Sequence, residues 1–578
     1  MIRETIGQYL IRRLQEYRVG HVFGIPGDYI LGFYDQLCRS PIRVVGTSKE
    51  DGAGFAADAY ARVNGMGAVC VTYCVGGLSI ANPVAGAYAE KSPVVVISGS
   101  PGLRERTNDP LLHHKVKTFA TQREIFERIT ACAVAIEDAD TAFRDIDRAL
   151  ATCWRVKRPV YIELPRDLVD VVPAYPVPSL PGEATVDQAA LEEAVAEAVA
   201  RLRRAERPVI LADVEMHRFG LDGELLALAE RTGIPIAVTI LGKSVISERH
   251  ANYLGVYEGA MGRDDVAAAV EGADCLLMLG TFLTDLNLGV FTARLDPARA
   301  IEATSEKLQI SRHRYDGVPL DGFLRELLAA DLPRRPPPPP RPQEPVAPLA
   351  PERPITVTRL FQLIDQRLED DMAVVCDVGL CLFGAIDLTI SRRTEFIAPA
   401  YYTSMGFAVP ASVGVALANP ALRPVVLVGD GAFQMTGMEL STAVQQGLAP
   451  IVIVLDNRGY TTERAIQDGP YNDLLSCATT ACPTCSVPAG APSSVRKASS
   501  PTPGRVRWRS ATRSACSPCS SIRTTCAQRS NAWASAWRRT SRDVSRATMR
   551  VARPRRVRVS ERPAGPTTGS APGRYLPA

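Results

Sequence analysis

The chain has 578 residues, 46% of them apolar and 22% charged. That balance belongs to soluble globular proteins and excludes a wholly disordered or fibrous chain, while the length suggests roughly three or four domains. No apolar run approaches the ~20 residues of a membrane helix, and the first seven residues (MIRETIG) carry no apolar signal core, so no membrane association and a cytoplasmic location are expected. The net charge of +4 averages two dissimilar stretches. Residues 476–578 hold 19 Lys and Arg against 2 Asp and Glu, a net of +17, leaving −13 for residues 1–475.

From the N-terminus to residue 475, short β-branched runs alternate with helical stretches. A marginal run at 42–45 precedes clear ones at 68–73, 93–98, 159–164, 208–212, 236–240, 275–279, 373–376, 424–428 and 451–455. Each is short, continuous and bounded by Gly, Pro or charge, the pattern of a strand buried on both faces. Amphipathic segments such as 140–156 and 188–204 lie between them. Strand–helix alternation predicts α/β architecture, with helices on both faces of parallel sheets. The Pro-rich stretch 333–354 lacks amide donors for helix or central strand and is expected to be a semi-rigid linker. A second Pro-rich boundary lies near 171–183. Three doubly wound domains in tandem are therefore predicted: 1–175, 184–332 and 355–475, the third apparently truncated because it has about 120 residues where the first has about 175.

Residues 476–578 show no sustained period of 2 or 3.6 and are expected to be mostly disordered. One reading is a basic nucleic-acid arm. Such arms are poor in Trp and Cys, yet this stretch holds three of the four Trp and six of the 14 Cys. A reading-frame slip near residue 475 in a GC-rich gene accounts for the Arg, Ala, Pro, Ser and Cys, so a nucleic-acid partner is not expected. The pairs Cys482/Cys485 and Cys516/Cys519 are 30 residues apart, against ~15–20 in usual zinc knuckles, and zinc is not expected. The eight remaining cysteines are scattered and read as small buried hydrophobes in a reducing compartment.

Chemistry concentrates at three places. The run 424–428 ends in Gly429-Asp430-Gly431-Ala432-Phe433, where a buried strand delivers backbone amides to the carboxyl edge of an open sheet. Glycine permits close phosphate approach, and a helix predicted over 437–446 offers its N-terminus. Twenty-seven residues after Asp430, the next run leads into Asp456-Asn457-Arg458-Gly459-Tyr460. Adjacent parallel strands bring both turns to one edge. The Asp430 carboxylate, the Asn457 amide oxygen and the Gly459 carbonyl form a hard-oxygen set suited to Mg2+ on a diphosphate; two turns with Asx caps are the alternative. Earlier in the chain, Gly24-Ile25-Pro26-Gly27-Asp28-Tyr29 closes a strand, and Glu50 stands at a strand-to-helix junction where a carboxylate also suits the helix dipole. Finally, His113 and His114 are two of only six His, and adjacent His cannot share one face of a helix, so a loop is predicted.

GDG followed at this distance by (D/N)N-x-G-Y resembles the thiamine-diphosphate motif. Over residues 1 to about 475 the chain resembles the thiamine-diphosphate-dependent 2-oxo acid decarboxylases, most of all the pyruvate, indolepyruvate and phenylpyruvate group. Two departures are Asp456, where the family usually has Asn, and Leu380, where many relatives have Asp. The resemblance implies thiamine diphosphate and Mg2+, the metal held by Asp430, Asn457 and Gly459. Gly429, Gly431, Ala432, Thr72, Thr403 and Met405 are then further cofactor contacts, with Met405 propping the bent cofactor and the Thr403 carbonyl accepting from its amino group. Glu50 would bond the aminopyrimidine and promote removal of the thiazolium proton. Asp28, His113 and His114 would relay protons, a task suited to imidazole, and Glu463 would stand beside the substrate carboxylate. Leu382 and Ile466 match pocket positions. Leu382, where pyruvate-specific relatives carry a bulky aromatic, favours phenylpyruvate or indolepyruvate over pyruvate. The resemblance also implies a homodimer or homotetramer whose sites form between chains. Two alternatives remain. One is a carboligase of the acetolactate synthase kind, whose members lack the His pair. The other is an inactive, truncated relative with a basic binding tail.

Overall fold

The computed structural model describes residues 4–178, 186–339, 355–391 and 395–475. The readings attached to the tail from residue 476, to its cysteine pairs and to most of the Pro-rich linker lie outside the described residues.

The first domain is built on β1 (His21–Gly24), β2 (Arg43–Gly46), β3 (Gly67–Val71), β4 (Val94–Ser100), β5 (Cys132–Ala135) and β6 (Val160–Pro165), ordered β2-β1-β3-β4-β6-β5, and all pairs are parallel. Every residue of β3, β4 and β6 is buried, because helices cover both faces; hence their unbroken apolar runs. β5, at the edge, is half-buried and reads Cys-Ala-Val-Ala, with only one β-branched residue, which is why composition did not mark it.

The middle domain contains β7 (Pro208–Ala212), β8 (Ile236–Val238), β9 (Tyr253–Val256), β10 (Cys275–Leu279), β11 (Ala300–Ala303), β12 (Leu308–Ile310) and β13 (His313–Tyr315). Five strands are parallel, in the order β9-β8-β7-β10-β11, and β12 and β13 extend the edge antiparallel. This extension departs from a purely parallel sheet. It rests on a tight turn in which Ser311 adopts a positive φ of 54°, and strands of three residues leave too little pattern to read.

In the third domain, β14 (Met372–Cys376), β15 (Glu395–Ile397), β16 (Arg423–Gly429) and β17 (Ile451–Leu455) form a parallel sheet ordered β15-β14-β16-β17. β14 and β16 are buried almost throughout, whereas all five residues of β17 are only partly buried. Among the described residues no strand pairs with the outer edge of β17.

First and third domains are joined by close helix packing. The helix Glu50–Asn64 lies against Ala408–Ala418, and a Cβ at Gly414 would overlap the Ala56 carbonyl oxygen, so only glycine permits that approach. Buried Arg62 clasps Asp58 through two 2.8 Å bonds and donates to the Ala398 carbonyl across the domain boundary at 3.0 Å. No helix among the described residues is long and apolar enough to cross a membrane.

Candidate active site

β16 and β17 are neighbours, with Gly429 level with Leu455. Their carboxyl ends therefore bring Asp430 and Asn457 together, as the spacing predicted. The helix position needs correction. A helix runs Asp430–Thr436, starting on Asp430 itself, and the predicted 437–446 segment is a single 3-10 turn followed by Leu440–Gln445. Asp430, 7% exposed, accepts from the amides of Gly431 at 2.9 Å and Gly459 at 3.1 Å. Gly459 has φ +145°, and a Cβ there would overlap the Asn472 carbonyl oxygen, so the turn requires glycine.

The end of the Asn457 amide that faces this turn lies 3.3 Å from Asp430 Oδ1 and 2.6 Å from the Gly459 carbonyl oxygen. With nitrogen there, the amide donates to both, and its oxygen accepts from Thr461 Oγ1 at 2.8 Å. With oxygen there, three acceptors converge. Ligands at ~2.1 Å on adjacent corners of an octahedron stand ~3 Å apart, and the two separations bracket that spacing. The donor set therefore fits Mg2+. Beside it opens a cleft lined by Gly429, Asp430, Gly431 and Ala432, by Asn457 and Gly459, and also by Thr403, Met405, Leu382 and Glu463. A Cβ at Gly429 would meet nothing within 4 Å, so the backbone there borders open space that a phosphate could reach. Ile466 ends the helix Thr461–Ile466 that carries Glu463, and it lies outside the cleft lining.

Thr403 has φ +55°, a left-handed conformation that costs a β-branched residue on the order of 1–3 kcal/mol and persists only when its surroundings impose it. Asp377, wholly buried, is one reason it persists. Its carboxylate accepts from the amides of Val378 at 3.1 Å, Gly406 at 3.2 Å and Ala408 at 2.9 Å, fixing the turn that presents Thr403 and Met405. Burial pushes the Asp377 carboxyl up to about 6, against the lowering by those amides. Sequence reasoning gave Asp377 no role. Its only signal was an Asp closing a buried apolar run.

The first-domain residues form a separate group. His113 and His114 occupy a turn rather than a helix, His114 at φ +66°. His113 Nε2 lies 2.9 Å from Asp28 Oδ2, and its Nδ1 lies 3.3 Å from the Tyr29 hydroxyl, whose ring stacks on the imidazole at 4.7 Å. The ring of His114 meets that of His113 edge-on at 4.8 Å, and one ligand atom from each of Asp28, His113 and His114 lies within 4.8 Å of the others. All three are exposed. Glu50 opens its helix half-buried, with the Ser79 hydroxyl 3.3 Å from its Oε2. The buried Thr72 hydroxyl has no partner among the described residues, and Gly27 is in such close contact that no Cβ fits there. An unpartnered buried hydroxyl calls for a ligand or water. No residue lining the cleft comes from the first domain, so Glu50 and the Asp28–His113–His114 group do not meet the Asp430 turn in that cleft.

Three family models match in tandem: thiamine pyrophosphate enzyme, N-terminal TPP binding domain over residues 4–125, central domain over 195–330, and C-terminal TPP binding domain over 377–487. An indole-3-pyruvate decarboxylase of Azospirillum brasilense is 36% identical over 479 residues, 81% of this chain and 87% of that protein. An alpha-keto-acid decarboxylase of Mycobacterium tuberculosis (strain ATCC 25618 / H37Rv) is 39% identical over 485 residues, covering 82% and 86%. One of Mycobacterium avium (strain 104) is 37% identical over 486 residues, covering 82% and 85%. An oxygen set suited to Mg2+ at one sheet edge, a glycine-bordered cleft beside it and these matches along the chain agree, and the chain belongs to the thiamine-diphosphate-dependent 2-oxo acid decarboxylase family.

Proposed function

We propose that the protein decarboxylates an aromatic 2-oxo acid, phenylpyruvate or indolepyruvate in preference to pyruvate, releasing the aldehyde and CO2. The observation that carries this reading is the Asp28–His113–His114 cluster, because a decarboxylase needs a proton relay where its aldehyde forms. When bound, thiamine diphosphate supplies a nucleophilic thiazolium carbon and an electron sink. Asp430, Asn457 and the Gly459 carbonyl would hold Mg2+, with the backbone at Gly429, Gly431 and Ala432 against the diphosphate. Met405 would prop the bent cofactor, the Thr403 carbonyl would accept from its amino group, and Glu50 would hold the proton that its aminopyrimidine exchanges, with Thr72 nearby. If His113 Nδ1 accepts from the Tyr29 hydroxyl, Nε2 carries the hydrogen and donates to Asp28 Oδ2, which sets the tautomer for proton transfer. Glu463, exposed in the cleft, would disfavour an ionised substrate carboxylate and so favour loss of CO2.

The aromatic preference is supported by Leu382, whose modest side chain lines the cleft, and by the indole-3-pyruvate decarboxylase among the relatives. Separation of the Glu50 and Asp430 groups supports a homodimer in which each site takes its pyrimidine end from one chain and its diphosphate end from the other. Met435, Met438 and Val444, 47%, 52% and 61% exposed on the helical segments that follow the Asp430 turn in the chain, suit such an interface. A cytoplasmic location fits the reading. The test is to assay aldehyde and CO2 from phenylpyruvate, indolepyruvate and pyruvate with thiamine diphosphate and Mg2+. Aromatic substrates are expected to give the higher kcat/KM, and Glu50→Gln to lower it by ~10²–10⁴-fold. Absence of CO2 from all three would overturn the proposal, and 2-acetolactate from pyruvate would favour a carboligase. One observation favours a second reading, an inactive chain: the partly buried β17 leaves the third sheet's edge uncovered among the described residues.

A further inference from the structure

The helix Glu50–Asn64 starts without a cap of its own. Its N-cap residue is Lys49, in extended backbone, and no side chain there accepts a hydrogen bond from the first turn. A helix start leaves backbone N–H groups without partners, and Ser, Thr, Asp or Asn at the N-cap is the usual remedy. In the first turn Asp51 Oδ1 accepts from the Gly52 amide at 2.8 Å, and the amides of Ser48 and Lys49 at the helix entry find their acceptor in the third domain. Glu439, 2% exposed, accepts through Oε1 from the amides of Ser48 and Lys49, both at 3.1 Å, and through Oε2 from the Ser48 amide at 3.1 Å and the Thr442 hydroxyl at 2.7 Å. The approach is close enough that a Cβ at Gly52 would overlap the carboxylate. Burial pushes the Glu439 carboxyl up from the usual carboxylate range, and the hydrogen bonds from Thr442, Ser48 and Lys49 act against that shift.

The reverse tie has the same form. Glu90 of the first domain accepts through Oε1 from the amides of Tyr401 and Tyr402, both at 2.8 Å, immediately before Thr403. A carboxylate from each domain thus holds the two backbone amides just upstream of a residue that the other domain presents to the cofactor.

We propose that Glu439 is a positioning residue for Glu50, fixing from the third domain the backbone on which the Glu50 carboxylate is aimed. This rests on the reading of Glu50 given above. Glu439 lies outside the cleft lining and acts through Ser48 and Lys49. Because the tie runs within one chain, it couples the Asp430 turn of one site to the Glu50 helix that, in the proposed dimer, serves the other.

The test uses the full chain and the variants Glu439→Ala and Glu439→Gln. Gln keeps Oε1 for the two amides, gives up only the second Ser48 bond through Oε2, and lets its nitrogen donate to Thr442. Hydrogen exchange without cofactor is expected to quicken roughly tenfold at the Ser48 and Lys49 amides in Glu439→Ala. Exchange should stay near the wild-type rate in Glu439→Gln, and in both variants at the Gly431 and Gly459 amides held by Asp430. With thiamine diphosphate and Mg2+ added, exchange of the thiazolium proton should slow in Glu439→Ala and recover in Glu439→Gln, with the cofactor Kd within about threefold of wild type. Unchanged protection of Ser48 and Lys49, faster exchange throughout the third domain, or a normal thiazolium proton rate despite freed amides would each overturn the proposal. Normal thiazolium exchange in Glu50→Gln would remove the reading of Glu50 itself, and this proposal with it. A failure of the clamp alone would show in the Glu439 variants while Glu50→Gln stayed slow.

Discussion

Replacing Asp430 by alanine should separate metal binding from folding. The carboxylate is 7% exposed and accepts from two amides, Gly431 at 2.9 Å and Gly459 at 3.1 Å. Leaving a buried donor unpaired costs about 1–3 kcal/mol, so the pair puts roughly 2–6 kcal/mol at stake, reduced where water enters the space left. The same change removes one of three converging oxygens and the only charged one. Loss of a partner that merely supports a metal ligand typically costs 10–100-fold in affinity, and loss of the charged ligand should exceed that. Asp430→Asn removes the charge but keeps an oxygen for one of the two amides, so it carries less of the structural cost than Asp430→Ala and weighs more on the metal effect. Calorimetric titration of thiamine diphosphate at several Mg2+ concentrations, with thermal melts of each variant, reads both quantities. Asp430→Ala is expected to melt lower and lose Mg2+-dependent binding, and Asp430→Asn to stay folded with weakened Mg2+ dependence. A folded Asp430→Ala that binds cofactor with unchanged Mg2+ dependence would refute the metal assignment.

The Asp377 carboxyl is raised from 3.8 to about 6 by burial, so the native state holds its proton more tightly than the unfolded chain, and the associated stability is full below pH ~4 and lost as pH rises through 6. The stability of wild type minus that of Asp377→Asn should therefore fall by about 2.4 kcal/mol between pH 4 and 7, as denaturant titrations can show, and a pH-independent difference would contradict the buried-carboxylate account. Gly414→Ala would drive a methyl into the Ala56 carbonyl between two domains; a loss of about 1–3 kcal/mol in urea unfolding is expected, and an unchanged midpoint would mean the helices are free to separate. Leu382→Trp should fill the cleft and lower kcat/KM for phenylpyruvate by at least ~10-fold while sparing pyruvate within a few-fold, whereas equal losses on both substrates would remove Leu382 from specificity. Translating the gene in its other frames beyond residue 475 should recover an α/β pattern, and restoring that frame should raise both the solubility and the aldehyde-forming activity of the chain. No recovered pattern, or no gain from restoring it, would show that the tail belongs to the protein.

Elements whose signal is local can be read from the order of residues. β3, β4, β6, β7, β10, β14 and β16 were legible because strands covered on both faces must be apolar at every position, which leaves a run that needs no partner to be recognised. The Asp430 and Asn457 turns were legible for a related reason. Gly429, Gly431 and Gly459 answer to backbone conformation and close approach, constraints that act within a few residues. The strands β5, β9, β11, β12, β13 and β15 escaped because three or four residues at or near a sheet edge carry almost no period, and the helix start at Asp430 was hidden behind the glycines around it. Contacts that close over distance emerge with the packing of the domains. Glu439 reaches amides 390 and 391 residues away, Glu90 reaches amides 311 and 312 away, and Asp377 holds a turn 29 to 31 residues on. A buried carboxylate is stable only where donors surround it, and a chain's order of residues does not record which distant amides the fold will leave unpaired.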